Sequence, residues 1–293
     1  MLLIANEWKD YQCLDAGNGE KLEQWNSYRL RRPDPQAIWQ VDTRQAHWKQ
    51  ADAIYHRSKS GGGSWEYIKH LPEQWTISYK DLTFKVSPTG FKHTGIFPEQ
   101  AVNWDWMSQL IRTHQDEELR ILNLFAYTGG ATMACAAAGA KEVVHVDAAK
   151  GMVNWAKENR DLSHLEDRTI RFIVDDVIKF VEREERRGRT YHGIIMDPPS
   201  YGRGPNGEMW KFEKEIVTLI EKTMRIFDSH GLFFLINSYT TGFSSVVLDN
   251  LMKTMILPQH PDGFVDTGEV AIPLQKRELL LPCGIYGRWQ RND

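Results

Sequence analysis

Leu119–Asp147 reads LRILNLFAYTGGATMACAAAGAKEVVHVD. An apolar run ends in a turn with two adjacent glycines, a helix of small residues follows, and a second apolar run closes on an acid. That is the order of a βαβ unit, whose strands are parallel because the helix carries the chain back. The texture continues downstream. KGMVNWAKENRDL (Lys150–Leu162) has helical spacing of Met152, Trp155, Ala156 and Asn159. Arg168–Asp176 is a third strand and Val177–Arg189 a charged amphipathic helix. A fourth strand runs into Asp197-Pro198-Pro199, a long helix covers Trp210–Asp228, and the strand Gly231–Thr240 precedes a helix over Ser244–Ile256. Gly263–Val270 and Glu278–Trp289 read as a terminal strand pair. Repeated βα units with right-handed crossovers predict an α/β, doubly wound, mostly parallel Rossmann-like sheet of seven strands.

Residues 1–90 differ: short alternating stretches rich in Trp and Tyr are broken by Pro and by the glycine run Gly61–Gly63. WTISYKDLTFKVSP (Trp75–Pro88) alternates Ile77, Tyr79, Leu82, Phe84 and Val86 about a turn at Lys80-Asp81, a hairpin signal. The expectation is a small β-rich N-terminal module over 1–90, with a possible part in substrate recognition, and a second domain over 91–293.

The 293 residues carry a net charge of −3, with 41% hydrophobic and 26% charged residues. This balance suits a globular enzyme and gives no global sign of a basic nucleic-acid binder. The clusters Arg29, Arg31, Arg32 and Arg183, Arg186, Arg187, Arg189 read first as solvated surface. Cys13, Cys135 and Cys283 form no CxxC pair and the histidines no i, i+4 pair, so no disulfide framework and no metal are expected. The start turns polar too early for a signal peptide, and no apolar run reaches the roughly 18 residues of a membrane span. A cytoplasmic location is expected, without a membrane partner. Oligomeric state is not legible.

In such a sheet, ligands bind beyond the carboxyl ends of the strands at the switch in strand order. After the first strand, Gly129 and Gly130 permit a tight turn and close backbone approach. The second strand ends at Asp147, an acid placed to accept both hydroxyls of a ribose. The third ends at Asp175-Asp176, where an acid or its neighbouring N–H can meet an adenine. Alone, each has a bland alternative, a turn or a helix cap. In order across successive βα units, they point to an adenosine-containing cofactor. The loop is neither G-x-G-x-x-G nor a Walker sequence. S-adenosylmethionine, with no phosphate, suits a side-chain-rich loop bearing Asn123, Tyr127 and Thr128.

LNLFAYTGGAT, VDAAKGMVNWAKENRDL, FIVDDV and IIMDPPSYGRG together resemble class I S-adenosylmethionine-dependent methyltransferases. The likeness is strongest to the bacterial 23S ribosomal RNA methyltransferases for cytosine C5 and guanine N7. The stretch FKHTGIFPEQ (Phe91–Gln100) looks like the lead-in of that group, with His93 where those enzymes usually carry Lys. The resemblance implies that Thr94, Phe97 and Gln100 close over the cofactor. It also implies that Tyr127, Thr128, Gly129 and Gly130 line its methionine and ribose side, that Asp147 holds the ribose, and that Asp175 and Asp176 face the adenine.

Methyl transfer from a sulfonium is an in-line displacement, so the enzyme mainly positions the acceptor lone pair. Asp197 and the Pro198 carbonyl can accept from an amine, in a geometry fixed by proline's locked φ, and Tyr201 can stack on a flat ring. Pro199, Ser200, Ser238 and Tyr239 would shape the acceptor pocket. The plain alternative is that the prolines only end the strand. Cytosine-C5 relatives need a cysteine nucleophile at the end of the fifth strand. Here that place reads LINSYTTG, so transfer to a base nitrogen of RNA, ribosomal RNA first, is the leading expectation. The N-terminal module offers Arg29, Arg31, Arg32, Arg57, Lys59 and several Trp for RNA contact. The alternatives are a small-molecule or protein side-chain methyltransferase, and a cofactor-binding assembly partner without catalysis.

Overall fold

The computed structural model describes residues 1–58, 62–90, 92–114, 118–204 and 207–292. Lys59, Gly61 and Phe91, named above, lie outside the described residues. The chain divides into two compact units. Ile4–Ala101 and Ala271–Cys283 make one; Met1–Leu3, Val102–Val270 and Gly284–Asp293 make the other.

After the short β1 (Leu2–Ile4), the first of these units builds a five-stranded sheet. Its strands are β2 (Tyr11–Gly17), β3 (Glu20–Trp25), β4 (Tyr28–Pro33), β5 (Ala53–Arg57) and β6 (Gly63–Tyr67), paired in that order. β7 (Trp75–Tyr79) and β8 (Leu82–Val86) form the hairpin read from the alternation, turning at Lys80 with a left-handed φ of 51°. Leu82, Phe84 and Val86 face inward, as a period of two requires. The basic cluster of β4 is structural. Arg29 bonds Gln24 and Gln50, and Arg31 pairs with Glu20 over the Trp48 ring. Arg32 is buried, with its guanidinium on the Glu23 carboxylate at 2.6 and 2.8 Å. Burial alone would raise the Glu23 carboxyl, but the Arg32 guanidinium and Lys21 ammonium hold it below the usual range.

The other unit starts in α1 (Ala101–Thr113) and then alternates as expected: β9 (Arg120–Leu124), α2 (Gly130–Ala137), β10 (Glu142–Asp147), α3 (Lys150–Leu162), β11 (Ile170–Val174), α4 (Val177–Arg186), β12 (Gly193–Met196). A small hairpin then intervenes, β13 (Tyr201–Arg203) with β14 (Met209–Lys211), before α5 (Phe212–Met224). The sequence places Trp210 in the helix; it lies instead in β14. β15 (Phe233–Ser238) and α6 (Ser245–Leu251) follow, and β16 (Gly263–Pro273) and β17 (Leu280–Arg291) are the long terminal pair.

The sheet order is β1-β16-β17-β15-β12-β9-β10-β11, eight strands rather than seven because β1 adds an edge. β11, β10, β9, β12 and β15 are mutually parallel, and β17 runs antiparallel to β15. Central strands such as Gly193–Met196 and Phe233–Ser238 are buried at every residue, which is why they read as unbroken apolar runs. The order reverses between β9 and β12, so the loops that follow them leave the same edge side by side. α4 is capped by Asp176, whose carboxylate accepts from the Lys179 amide at 3.0 Å. Arg183 of α4 is ion-paired with Asp175, and Arg187 and Arg189, just past the helix, with its buried Glu184. Among the described residues no helix is long and apolar enough to cross a membrane.

Candidate active site

The loop leaving β9 is bent to an unusual degree. Phe125, Tyr127 and Gly129 all have positive φ, at 55°, 51° and 86°. Two non-glycine residues in the left-handed region within three positions is strain that the surroundings must hold. The restraints are visible. The Ala126 amide donates to the Val146 carbonyl at 3.0 Å, and the Tyr127 amide to Asp147 Oδ2 at 2.8 Å. From α3, Asn159 Nδ2 donates to the Thr128 carbonyl at 2.8 Å. Beneath the loop lies a buried polar chain: Asn123 Nδ2 donates to Thr132 Oγ1, which meets His145 Nδ1, each at 3.0 Å. Burial pushes the His145 imidazole down to about 3, so it is neutral at physiological pH. Asn123 was singled out from sequence; Thr132, His145 and Asn159 were not. For His145 the signal available is a His inside an otherwise apolar strand; Asn159 shows only its place in a helical pattern.

The two glycines owe much to packing. A Cβ on Gly130 would lie 2.5 Å from the Trp104 ring of α1, and one on Gly129 3.1 Å from Ala156 and Met133. Asp147 is half-buried; its other oxygen accepts from the Ala149 amide at 2.8 Å. Burial raises its carboxyl above the usual range, while the bonds from Ala149 and Tyr127 pull it down. Asp175 is also half-buried, paired with Arg183 and accepting from the Asp176 amide at 2.9 Å. Asp176 spends its side chain on the helix cap.

At the switch point, the Asp197 amide meets the Leu124 carbonyl at 3.4 Å, which sets the Asp197 loop directly against the β9 loop. Pro198 is buried, Pro199 and Ser200 are exposed. Thr240, after β15, donates from its hydroxyl to Ser200 Oγ at 2.9 Å and from its amide to Ser238 Oγ at 3.2 Å. Ser200, Ser238 and Tyr239 are thus gathered at one edge with Asp197 and the loop 125–130. Tyr201 is not directed into that group; it is 51% exposed on β13. Thr94, Phe97 and Gln100 belong to the other unit. There the Thr94 carbonyl accepts from Ser87, Phe97 stands 5.2 Å from the His93 ring, and Gln100 is buried. Cys13 and Cys135 are buried, and burial raises all three thiols, so none is poised as a nucleophile. No metal-ligating cluster occurs among the described residues.

A family model described as S-adenosylmethionine-dependent methyltransferase matches residues 37–225. The chain belongs to that methyltransferase family. A crystal structure of a SAM-dependent methyltransferase from Agrobacterium tumefaciens is 37% identical, covers all of this chain and 94% of its own, and superposes with a TM-score of 0.93. Among curated relatives, ribosomal RNA large subunit methyltransferase K of Neisseria meningitidis is 29% identical over 245 residues, 81% of this chain and 67% of that protein. Methyltransferase K/L of Syntrophotalea carbinolica is 26% identical over 249 residues, 78% of this chain. This chain spans only about a third, 34%, of that longer protein.

The site suits the cofactor of a methyltransferase of this family. Asp147 and Asp175 stand at the ends of successive parallel strands at one edge of the sheet, and their carboxylate oxygens are acceptors of the kind that hydroxyl or amine groups require. The loop 125–130 carries no cation, as befits a ligand without phosphate.

Proposed function

We propose that this methyltransferase modifies RNA, ribosomal RNA in particular, at a nitrogen of a base. One observation carries the acceptor chemistry: the Asp197-Pro198-Pro199 loop abuts the β9 loop through the Asp197–Leu124 contact of 3.4 Å. The names of the curated relatives support the substrate class. The absence of cysteine from LINSYTTG supports nitrogen over a cytosine ring carbon.

Bound S-adenosylmethionine supplies a methyl group on a positively charged sulfur, activated for in-line displacement. Tyr127, Thr128, Gly129 and Gly130 line the cofactor, Asp147 accepts from its ribose, and Asp175 with Asp176 borders its adenine. Asp197 accepts an N–H of the acceptor, which turns the nitrogen lone pair towards the methyl group, and takes the proton the nitrogen gives up. The Pro198 carbonyl, rigid through proline's fixed φ, accepts a second N–H. Pro199, Ser200, Ser238 and Tyr239 shape the surrounding pocket.

Asp197→Ala is expected to abolish turnover and leave S-adenosylmethionine affinity within about twofold by calorimetry. Unchanged turnover would remove Asp197 from the reaction. Mass mapping of ribosomal RNA from a strain lacking the gene should show one base short of a methyl group. A complete modification profile would turn the reading towards a small-molecule or protein acceptor.

A further inference from the structure

The β13–β14 hairpin emerges directly from the Asp197 loop, and its two faces differ sharply. Tyr201 lies opposite Lys211 and Arg203 opposite Met209, so these four side chains share one face. All four are exposed, Tyr201 and Met209 each at 51%. The Tyr201 hydroxyl meets Met209 Sδ at 3.4 Å, so the two form one apolar patch flanked by two cations. The four positions include no carboxylate.

The inward face is an anchor. Trp210 is 7% exposed; its indole donates to the Pro199 carbonyl at 2.7 Å and its ring stands 4.8 Å from that of Phe125. Gly202 lies so close to this wall that a Cβ would come within 3.2 Å of Pro199 Cγ. The Phe212 amide donates to the Ser200 carbonyl at 3.1 Å, and Glu208 is ion-paired to Lys179 of α4. A two-stranded hairpin has little stability of its own in water. These contacts hold it at a fixed place beside Asp197 and the β9 loop.

We propose that the outward face of this hairpin binds the single-stranded RNA flanking the methylated base. Tyr201 and Met209 lie against neighbouring bases, and Arg203 and Lys211 meet phosphates. The inference rests on the RNA reading above and assigns the strand a path. An aromatic ring between cations, without an opposing carboxylate, is the surface that single strands require: stacking for the bases and positive charge for the backbone. It also gives Tyr201 a different part from the acceptor clamp expected from sequence, since it sits beyond the pocket on the anchored hairpin.

The test is fluorescence anisotropy of a labelled, mixed-sequence, short single-stranded RNA, titrated at several salt concentrations with S-adenosylhomocysteine present. Arg203→Ala combined with Lys211→Ala should weaken binding and flatten the salt dependence by about 0.7 in log–log slope per lost phosphate contact. Tyr201→Ala should weaken binding about tenfold, and Tyr201→Phe should restore it, since the stacking face remains. S-adenosylhomocysteine affinity, measured by calorimetry, should stay at the wild-type value in every variant, which separates lost RNA contact from misfolding. Wild-type RNA affinity and slope in the double variant would overturn the hairpin assignment and leave the RNA reading standing. Failure of the wild-type protein to bind the RNA at any salt concentration would overturn both.

Discussion

Asp147 is under opposing demands that set its pH behaviour. Burial favours the neutral acid, the two backbone N–H bonds favour the carboxylate, and burial prevails. With the folded pKa raised, more protons are bound in the folded state across the window from the ordinary aspartate value to the raised one. Stability of the unliganded protein therefore falls as pH rises through that window, a cost carried at neutral pH. In the ribose-binding role proposed for Asp147 the ionised form is the better acceptor, so cofactor affinity should run the other way and fall as pH drops towards the raised pKa. Asp147→Asn should remove that pH dependence and cost about 1.5–3 kcal/mol of cofactor binding. Calorimetric titration of S-adenosylmethionine at several pH values checks both; a pH slope that persists in the variant would assign it to another group. Asp147 stood out in the sequence because it ends a strand at a telling distance from the glycines. His145 did not, because a buried neutral imidazole acts through contacts that only folding creates.

At the scale of elements, the β9–α2 junction shows where sequence reasoning was right for an incomplete reason. Two adjacent glycines do mark a tight turn, and Gly129 needs its positive φ of 86°. Gly130 answers to a different constraint, the approach of α1, because a side chain there would meet Trp104. Gly130→Ala is thus an overpacking change expected to cost about 1–3 kcal/mol. Chemical denaturation should show a lower midpoint with an unchanged slope; wild-type stability would mean that the Trp104 ring moves aside at no cost. The β13–β14 hairpin is not legible in the sequence because its strands are only three residues long and the first is interrupted by Gly202. What holds it is Trp210 against Pro199 and Phe125, a tertiary contact with no periodic trace. The βα alternation, by contrast, was legible because parallel strands buried on both faces must be apolar throughout.

At the scale of the whole molecule, the chain returns late to complete an early structure. Asp15 of β2 is fully buried, and its carboxylate is bound by Trp48 Nε1 and His47 Nε2 at 2.9 Å and by Arg277 Nε at 3.1 Å. The backbone follows the same path: Gln275 and Lys276 donate to the carbonyls of Cys13 and Leu14, each at 2.9 Å. Nothing in the spacing of apolar residues joins positions so far apart, which is why this segment was not assigned from sequence to the unit it completes. Removing Arg277 strips a cation from a buried anion, a change that usually costs about 3–5 kcal/mol. With the Arg277 side chain still 27% exposed, Arg277→Met belongs at the low end of that range. Asp15→Asn should also destabilise, since it weakens the bonds from Trp48 and His47. The double variant should lose less than the sum of the two, because no uncompensated charge then remains. Denaturant unfolding followed by tryptophan fluorescence, with Trp48 in direct contact with the pair, measures all three. Full additivity would mean that Arg277 stabilises the unit by packing alone, and that the buried carboxylate relies on Trp48 and His47.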